Sequence, residues 1–442
     1  MVRLTGVFSQ IRRSKVMVVG DFLLDTYTIG KARRISPEAP VAVVHVQREE
    51  NRAGGAGNVA LNLVSLEADV IAVGRVGQDH AGSVLIQSLA SEGVDVSGIH
   101  IQPGFPTPVK NRILAENQQI VRIDHESIQP IPEMLEQRMI DALPDLMQGV
   151  KVVAISDYGK GCLSKTFLAA LIELAKQRNI IVIADPKGLD FSRYSGATVI
   201  KPNLGEAYAA ANLPMDAPLE QVASRILQLA DADTLMVTRS EAGISLFHRN
   251  GVRSDFPVRA REIKDVTGAG DTVLAMLSCA LANDLSIDTA VQLSNIAAGI
   301  AIERFGCARI SLAELARRLL EDDVTNKVFD EEHLFALQSV LRNRKFFLLS
   351  IDGLQGLTSS IFSAMRQLGQ NKEGDLLVYV RDQFPDPEFV GLLASLHDVD
   401  FIVLKGESLK SLCLSSSPQE VHVIEKGECR RLNSVEDLLA IA

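Results

Sequence analysis

Short runs of β-branched and aliphatic residues recur along this chain, separated by stretches with helical spacing. KVMVVG (15–20), DVIAVG (69–74), VKVVAIS (150–156), NIIVIAD (179–185), ATVIKPN (197–203) and DTLMVT (233–238) are too apolar to leave one face to water. Amphipathic segments such as LSKTFLAALIELAKQRN (163–179) lie between most of them. Strands apolar on both faces need cover on both, and alternating helices supply it. The pattern therefore predicts an α/β fold with a mainly parallel sheet flanked by helices. Residues 239–264 change to a hairpin pattern turning at Asn250-Gly251. Two runs, VAVVHV (41–46) and NQQIVRID (117–124), belong to no strand–helix–strand unit. They place a small separate sheet, a lid, within residues 22–46 and 107–124.

The apolar pattern relaxes after LAELARRLLEDD (312–323), and the polar stretch EDDVTNKVFDEEH (321–333) marks a boundary. KFFLLSID (345–352), GDLLVYVRD (374–382) and VDFIVLKG (399–406) then restart the alternation. The expected organisation is a first domain over 1–323, a linker over 324–333 and a smaller α/β domain over 334–442. A net charge of −10 argues against a general nucleic-acid binder. Five cysteines, widely spaced and without a CxxC pair, read as free thiols in a reducing compartment. Neither a membrane span nor a signal peptide stands out, so the expected location is the cytoplasm. His45, His80, His100, His125 and His248 show no ligand spacing.

DVTGAGDT (265–272) opens the apolar run TVLAMLSCALA (272–282). A helix start presents unpaired N–H groups and a partial positive charge, which together hold anions. Gly268, Ala269 and Gly270 let a phosphate approach those groups closely. Asp271 would repel that phosphate unless it served as the base for an attacking hydroxyl, which points to phosphoryl transfer. The plainer alternative is a loop followed by an ordinary acid in the first turn of a helix. No Gly-Lys-Ser/Thr follows, so this is not a Walker A loop.

DVTGAGDT resembles the anion-hole signature of the ribokinase family of sugar kinases. AGGAGNVALNLVSL (53–66) and GRVGQDHAG (74–82) resemble that family's sugar-binding signature. GDFLLDTYTIGKARRISPEAPVAVV (20–44), SDYGKG (156–161), DPKGLDFSRYSGATVIKPNLGE (185–206) and VTRSEAGISL (237–246) resemble one branch, the D-glycero-β-D-manno-heptose 7-phosphate kinases. The resemblance spans roughly residues 15–320. It implies a ribokinase-like sheet with a β-lid, and ATP-dependent phosphorylation of the sugar's anomeric 1-hydroxyl on the way to ADP-heptose for lipopolysaccharide. It makes Asp271 the base and Gly268, Ala269 and Gly270 the anion hole. Asn203 and Glu206 match an Asn-x-x-Glu motif linked to Mg²⁺ and its waters, although a helix cap with a capping-box Glu would use the same two residues. Thr238, Ser240 and Gly243 fall in the nucleotide segment, with Asn295 near the adenine. Asp265 and Thr267 sit where the family binds a monovalent cation such as K⁺.

Asp21, Asp25 and Asn58 are the sugar-hydroxyl ligands in the same reading. The 7-phosphate needs local positive charge, for which Lys160, Lys187, Arg112 and Arg122 are the candidates, with solvated loop lysines as the alternative. Asp157 and Asp185 close strands, where open α/β sheets bind ligands. The expected partners are ATP and a sugar phosphate, with no nucleic acid and no membrane. Exposed lid edges suggest a homodimer.

The C-terminal segment resembles a Rossmann-like nucleotidyltransferase domain that is fused to many such kinases and adds AMP to heptose 1-phosphate. In FFLLSIDGLQGLTSS (346–360) Asp352 is in place. Gln355 and Thr358 stand where that family has two phosphate-binding histidines, so the domain is expected to lack adenylyltransferase activity. Two readings remain beside the heptose kinase: a related kinase for another sugar or sugar phosphate, and a non-catalytic scaffold that binds nucleotide or sugar.

Overall fold

The computed structural model describes the chain except residues 1–10, 117, 259–262, 305, 323–326, 330–333, 343, 354–355, 370–373, 397, 407–408, 426 and 441–442. Much of the expected linker, and Gln355, lie outside the described residues. Compactness divides the chain between Leu312 and Ala313, into Ile11–Leu312 and a second unit from Ala313 onward. The helix Leu312–Asp322, placed by sequence in the first domain, thereby falls with the second unit.

The first unit opens with β1 (Lys15–Ile35), β2 (Ala42–Gly55), α1 (Ala56–Ser65), β3 (Asp69–Gly77), α2 (His80–Ser91) and β4 (Asp95–Gln102). There follow β5 (Val109–Ala115), β6 (Gln118–His125), α3 (Glu133–Leu146), β7 (Val150–Ser156), α4 (Lys165–Gln177), β8 (Ile181–Asp185) and β9 (Val199–Ile200). The unit closes with α5 (Leu204–Ala211), α6 (Leu219–Leu229), β10 (Thr234–Thr238), β11 (Ile244–His248), β12 (Arg253–Phe256), α7 (Ala269–Ala282) and α8 (Ile287–Ile302). Among the described residues these strands form one twelve-stranded sheet whose main path runs β12-β11-β10-β9-β8-β7-β1-β3-β4. Pairing is parallel from β4 to β10 and antiparallel across the β10–β11–β12 edge, where the Asn250-Gly251 hairpin was expected.

The lid differs from its expected form in one respect. It is not a separate sheet, because β1 is a single 21-residue strand shared by core and lid. Lys15–Asp21 pair in parallel with β3, and Lys15–Gly20 with β7. From Phe22 onward the same strand pairs antiparallel with β2, and Leu24–Gly30 pair in parallel with β5. Val16–Val19 are wholly buried, whereas residues 33–35 are exposed, so one strand passes from a two-faced core to a wet edge. Solvent reaches much of the lid, apolar residues included: every residue of β6 is exposed, among them Ile120, Val121 and Ile123.

The core lies between this sheet and its helices. Met17, Val19, Val153, Ile155, Phe167, Leu171 and Tyr194 share one cluster on one face. On α7 every residue from Asp271 to Ala282 is buried, and the helix packs against α1, α8, β7 and β8. A helix apolar on all sides belongs in an interior. Its only carboxylate is Asp271.

The second unit carries α9 (Leu312–Asp322), β13 (Val328–Phe329), α10 (Leu334–Leu341), β14 (Phe346–Ile351), α11 (Ser359–Gly369) and β15 (Asp375–Val380). It ends with α12 (Pro387–Ser395), β16 (Phe401–Leu404), α13 (Leu409–Ser415), β17 (Glu420–Glu425), β18 (Glu428–Leu432) and α14 (Val435–Leu439). Its described strands form a sheet in the order β13-β16-β15-β14-β17-β18, parallel except for β17–β18. Alternation along β14 feeds two cores: Phe346 and Leu348 into one, Phe347 and Leu349 into the other.

Candidate active site

β7 and β8 end where β1 passes from core to lid. Gly20 on β1 pairs with Ser156 on β7, which pairs with Asp185 on β8, so Asp21, Asp157 and Asp185 crowd one carboxyl edge. The α7 N-terminus meets them there. Gly268 precedes α7 with φ +78°, a left-handed conformation that glycine adopts without strain. A Cβ on Gly268 would also lie 2.8 Å from Asn58 Nδ2, so both shape and backbone require glycine.

Asp271 is 3% exposed and is held by two donors. Asn58 Nδ2 donates to Oδ2 at 2.8 Å, and the Tyr158 hydroxyl to Oδ1 at 2.8 Å. Asn58 is itself fixed, because Asn62 Nδ2 donates to its carbonyl at 3.0 Å and its Oδ1 at 3.2 Å. Burial pushes the Asp271 carboxyl up to about 7, and the negative charge of Asp185 adds to this. The two donors and Lys201 hold it down. A carboxylate balanced near neutrality, with lone pairs still open, can take a proton from a hydroxyl.

Asp21 Oδ2 accepts the backbone N–H groups of Tyr158 at 3.0 Å and Lys160 at 2.9 Å. Burial and neighbouring Asp157 nevertheless raise its pKa. Asp157 takes the Gly159 N–H at 2.7 Å and the Tyr194 hydroxyl at 2.6 Å. Asp25 is buried, ion-paired with Arg112, and lies 3.7 Å from the Cys307 thiol. Gly54 packs against the Asp25 carboxylate so closely that a Cβ there would collide with it. The structure thus brings Asp21, Asp25, Asn58, Asp157 and Asp271, all buried, to one region beside the α7 N-terminus. Arg112, one of the candidate cations for a phosphate, is ion-paired with Asp25. Arg122 stands across from Arg112 in register but is half-exposed and bound to Asp124.

Asn203 and Glu206 form a full capping box at the start of α5. Asn203 Oδ1 accepts the Glu206 N–H at 2.9 Å, and Glu206 accepts the Asn203 N–H at 3.1 Å. The plainer reading of this pair is therefore realised, while Glu206 Oε1 also pairs with the Lys187 ammonium at 2.7 Å. Thr238 N–H reaches the Pro202 carbonyl at 3.0 Å, and Ser240 and Gly243 have φ of +50° and +83° in the turn after β10. Asn295 on α8 donates to the carbonyls of Phe256 and Pro257. Asp265 accepts Thr267 N–H, Thr267 O–H and Gly306 N–H at 2.7–2.9 Å. Burial works against ionisation there, but these three bonds keep the carboxyl below its usual range.

Two residues central to this geometry carried no assignment in the sequence. Lys201 is 3% exposed, pairs with Asp185 at 2.8 Å, and its Nζ lies 3.9 Å from where a Cβ of Gly270 would stand. It sits inside a run read as strand, which hid it. Tyr158 lies within SDYGKG, yet only the fold shows its hydroxyl on Asp271. Among the described residues, no group of three or more His, Cys, Asp or Glu is arranged to hold a metal. No helix there is long and apolar enough to cross a membrane.

Residues 13–315 match the model of the pfkB family of carbohydrate kinases. The bifunctional protein HldE of Trichlorobacter lovleyi is 39% identical over 416 residues, covering 90% of this chain and 85% of that protein. The HldE of Geobacter sulfurreducens is 40% identical over 419 residues, covering 91% and 86%. Two solved structures share the fold over 70% of this chain. Escherichia coli phosphofructokinase-2 in complex with potassium is 20% identical, with a TM-score of 0.58 and 98% of that chain covered. Arabidopsis thaliana ribokinase complexed with ribose and ATP is 18% identical, with a TM-score of 0.56 and 99% covered.

Proposed function

We propose that this chain, which belongs to the pfkB family of carbohydrate kinases and along nine-tenths of its length to the HldE bifunctional proteins, phosphorylates D-glycero-β-D-manno-heptose 7-phosphate at its anomeric 1-hydroxyl. The product would be the 1,7-bisphosphate, a precursor of ADP-heptose in lipopolysaccharide synthesis, made in the cytoplasm. The observation that carries this reading is Asp271, a buried carboxyl at a helix start, held by Asn58 and Tyr158 beside Asp21.

Asp271 takes the proton of the 1-hydroxyl as that oxygen bonds to the γ-phosphorus of ATP, and the bridging oxygen departs with ADP. Amides at the start of α7, around Gly268, Ala269 and Gly270, face the charge spreading over the transferred group. Lys201, beside Gly270, adds a fixed positive charge. Asp21, Asp25, Asn58 and Asp157 orient the sugar hydroxyls, and Lys160 lies toward its phosphate. Thr238, Ser240, Gly243 and Asn295 border the nucleotide. Mg²⁺ keeps most of its waters and uses substrate phosphates as ligands, so it needs few protein oxygens. Glu206, Asn203 and Asp185 would hold it through those waters, and bound there it neutralises the triphosphate. Asp265, kept ionised, with Thr267, suits K⁺. The working assembly in this reading is a homodimer.

For the second unit we propose no AMP transfer. Thr358 is committed to α11, its hydroxyl accepting the Ile361 N–H at 3.3 Å. Gly353 N–H donates to Asp382 at 2.6 Å, which closes the end of β14 on the protein itself. Phosphorus NMR of full-length protein with heptose 7-phosphate, ATP, Mg²⁺ and K⁺ tests both parts. A 1,7-bisphosphate signal is expected, with no ADP-heptose after a phosphatase has supplied the 1-phosphate. Absence of bisphosphate sinks the kinase assignment; ADP-heptose sinks the silent second unit.

A further inference from the structure

Lys110 on β5 and Lys160 in the loop after β7 reach the same carboxylate. Lys160 Nζ lies 2.8 Å from Glu126 Oε1, and Lys110 Nζ lies 3.2 Å from Glu126 Oε2, one ammonium on each oxygen. Lys110 also reaches Asp124 Oδ2 at 3.2 Å, a carboxylate that Arg122 binds on both oxygens, at 2.8 and 3.0 Å. The two lysine side chains are only 16% and 10% exposed. Two shielded ammoniums this near each other need an anion between them. Burial works against ionised Glu126, yet the bonds from Lys160 and Lys110 outweigh it and hold the carboxyl below its usual range.

The backbone on both sides of the cluster is pinned. Buried Arg75 donates to the carbonyls of Gln129 and Lys160, and Ile131 N–H donates to Gly161 O at 3.0 Å. Lys160 N–H meanwhile binds Asp21, which ties this loop to the sugar cleft. Glu126 follows β6, and its side chain is 25% exposed. With both backbones fixed, the carboxylate can swing to solvent while the lysines stay. The other three candidate cations pair elsewhere: Lys187 with Glu206, Arg112 with Asp25 and Arg122 with Asp124.

We infer that Lys110 and Lys160 are the seat of the substrate's phosphomonoester and that Glu126 is an internal stand-in, displaced when a sugar phosphate arrives. The inference rests on the sugar-phosphate reading above. Two ammoniums set on the two oxygens of a carboxylate are set equally well for two oxygens of a phosphoryl group. A phosphomonoester near neutrality carries between one and two charges and outcompetes the single charge of Glu126. A sugar without phosphate cannot, so the exchange selects phosphorylated substrates.

The test uses full-length wild type, Lys110→Met and Glu126→Gln. KM and kcat are measured with heptose 7-phosphate, and inorganic phosphate binding by isothermal titration. Losing one of two cations should raise KM about tenfold in Lys110→Met, with kcat held within about twofold. Removing the internal competitor should lower KM and the phosphate Kd about threefold in Glu126→Gln. Unchanged values in both variants overturn the seat. If wild type ignores heptose 7-phosphate, the substrate reading fails and the titration still decides. Phosphate binding weakened in Lys110→Met and tightened in Glu126→Gln supports the seat, and equal binding in all three rejects it.

Discussion

Replacing Asp271 by Asn should destroy catalysis and, at alkaline pH, stabilise the empty enzyme. The carboxyl titrates near 7 when folded, because burial penalises its charge, against an ordinary value of 3.8. A raised folded pKa means the native state binds the proton more tightly. That contribution to stability is complete below about pH 4 and is lost as pH climbs through 7. Three pH units at 1.36 kcal/mol each put the full effect at about 4 kcal/mol, and about 2.5 kcal/mol of it falls between pH 5 and 8.5. Asn carries no charge to desolvate and keeps the shape: its carbonyl can accept from Asn58 while its amide donates to the Tyr158 oxygen. The difference in melting temperature, variant minus wild type, should therefore grow by several degrees from pH 5 to 8.5. Other titrating groups are common to both proteins and cancel. Turnover should fall at least about a thousandfold. A flat difference curve would refute the burial argument, and turnover within tenfold of wild type would refute Asp271 as base.

Tyr158→Phe removes one donor to the same carboxylate, so the acid limb of the kcat/KM profile should move up by about one pH unit; an unmoved limb assigns the hydroxyl to packing alone. Lys201→Met leaves the partly buried Asp185 without its cation and should cost about 2 kcal/mol in denaturant unfolding, with Asp185→Asn in the same chain recovering much of it; equal losses in single and double variants would contradict the pairing. Asn203→Ala should cost about 1 kcal/mol through the lost cap. Glu206→Gln should instead raise the Mg²⁺ needed for half-maximal rate about tenfold, and an unaltered Mg²⁺ response would leave this pair a capping box and nothing more.

Backbone patterning made the main sheet readable. Val16–Val19, Val152–Ile155 and Leu235–Val237 are buried on both faces, and two-faced burial leaves apolar runs that no surface strand tolerates. β4 escaped because DVSGIHIQ, near the sheet edge, mixes polar and apolar positions, and its burial alternates only loosely. The lid strands were found in part: β2 continues to Gly55 through QREENRAGG, whose charges sit on an exposed surface and read as loop. In the site, single carboxylates at strand ends were legible, since their positions follow from local order. Pairings were not. Arg112 with Asp25, Lys201 with Asp185, and Tyr158 with Asp271 join residues 16 to 113 positions apart, and no local pattern encodes which partner folding will bring.

Of the described strands, the one synthesised earliest ends in the middle of the sheet. β1 needs β3 on one side and β7 on the other, and β7 starts only at Val150. Until the ribosome has delivered that strand, the segment Val16–Phe22, later among the most deeply buried in the protein, has one bare edge and incomplete cover. Long-range parallel pairing of this kind is slow, and an open apolar edge is a template for neighbouring chains. A nascent polypeptide arrested before residue 150 would thus be at its most aggregation-prone in the very strand that later carries Asp21 and Asp25. Placing β1 between β3 and β7 leaves the strand that carries the sugar-side carboxylates unpaired on one side through the first third of translation.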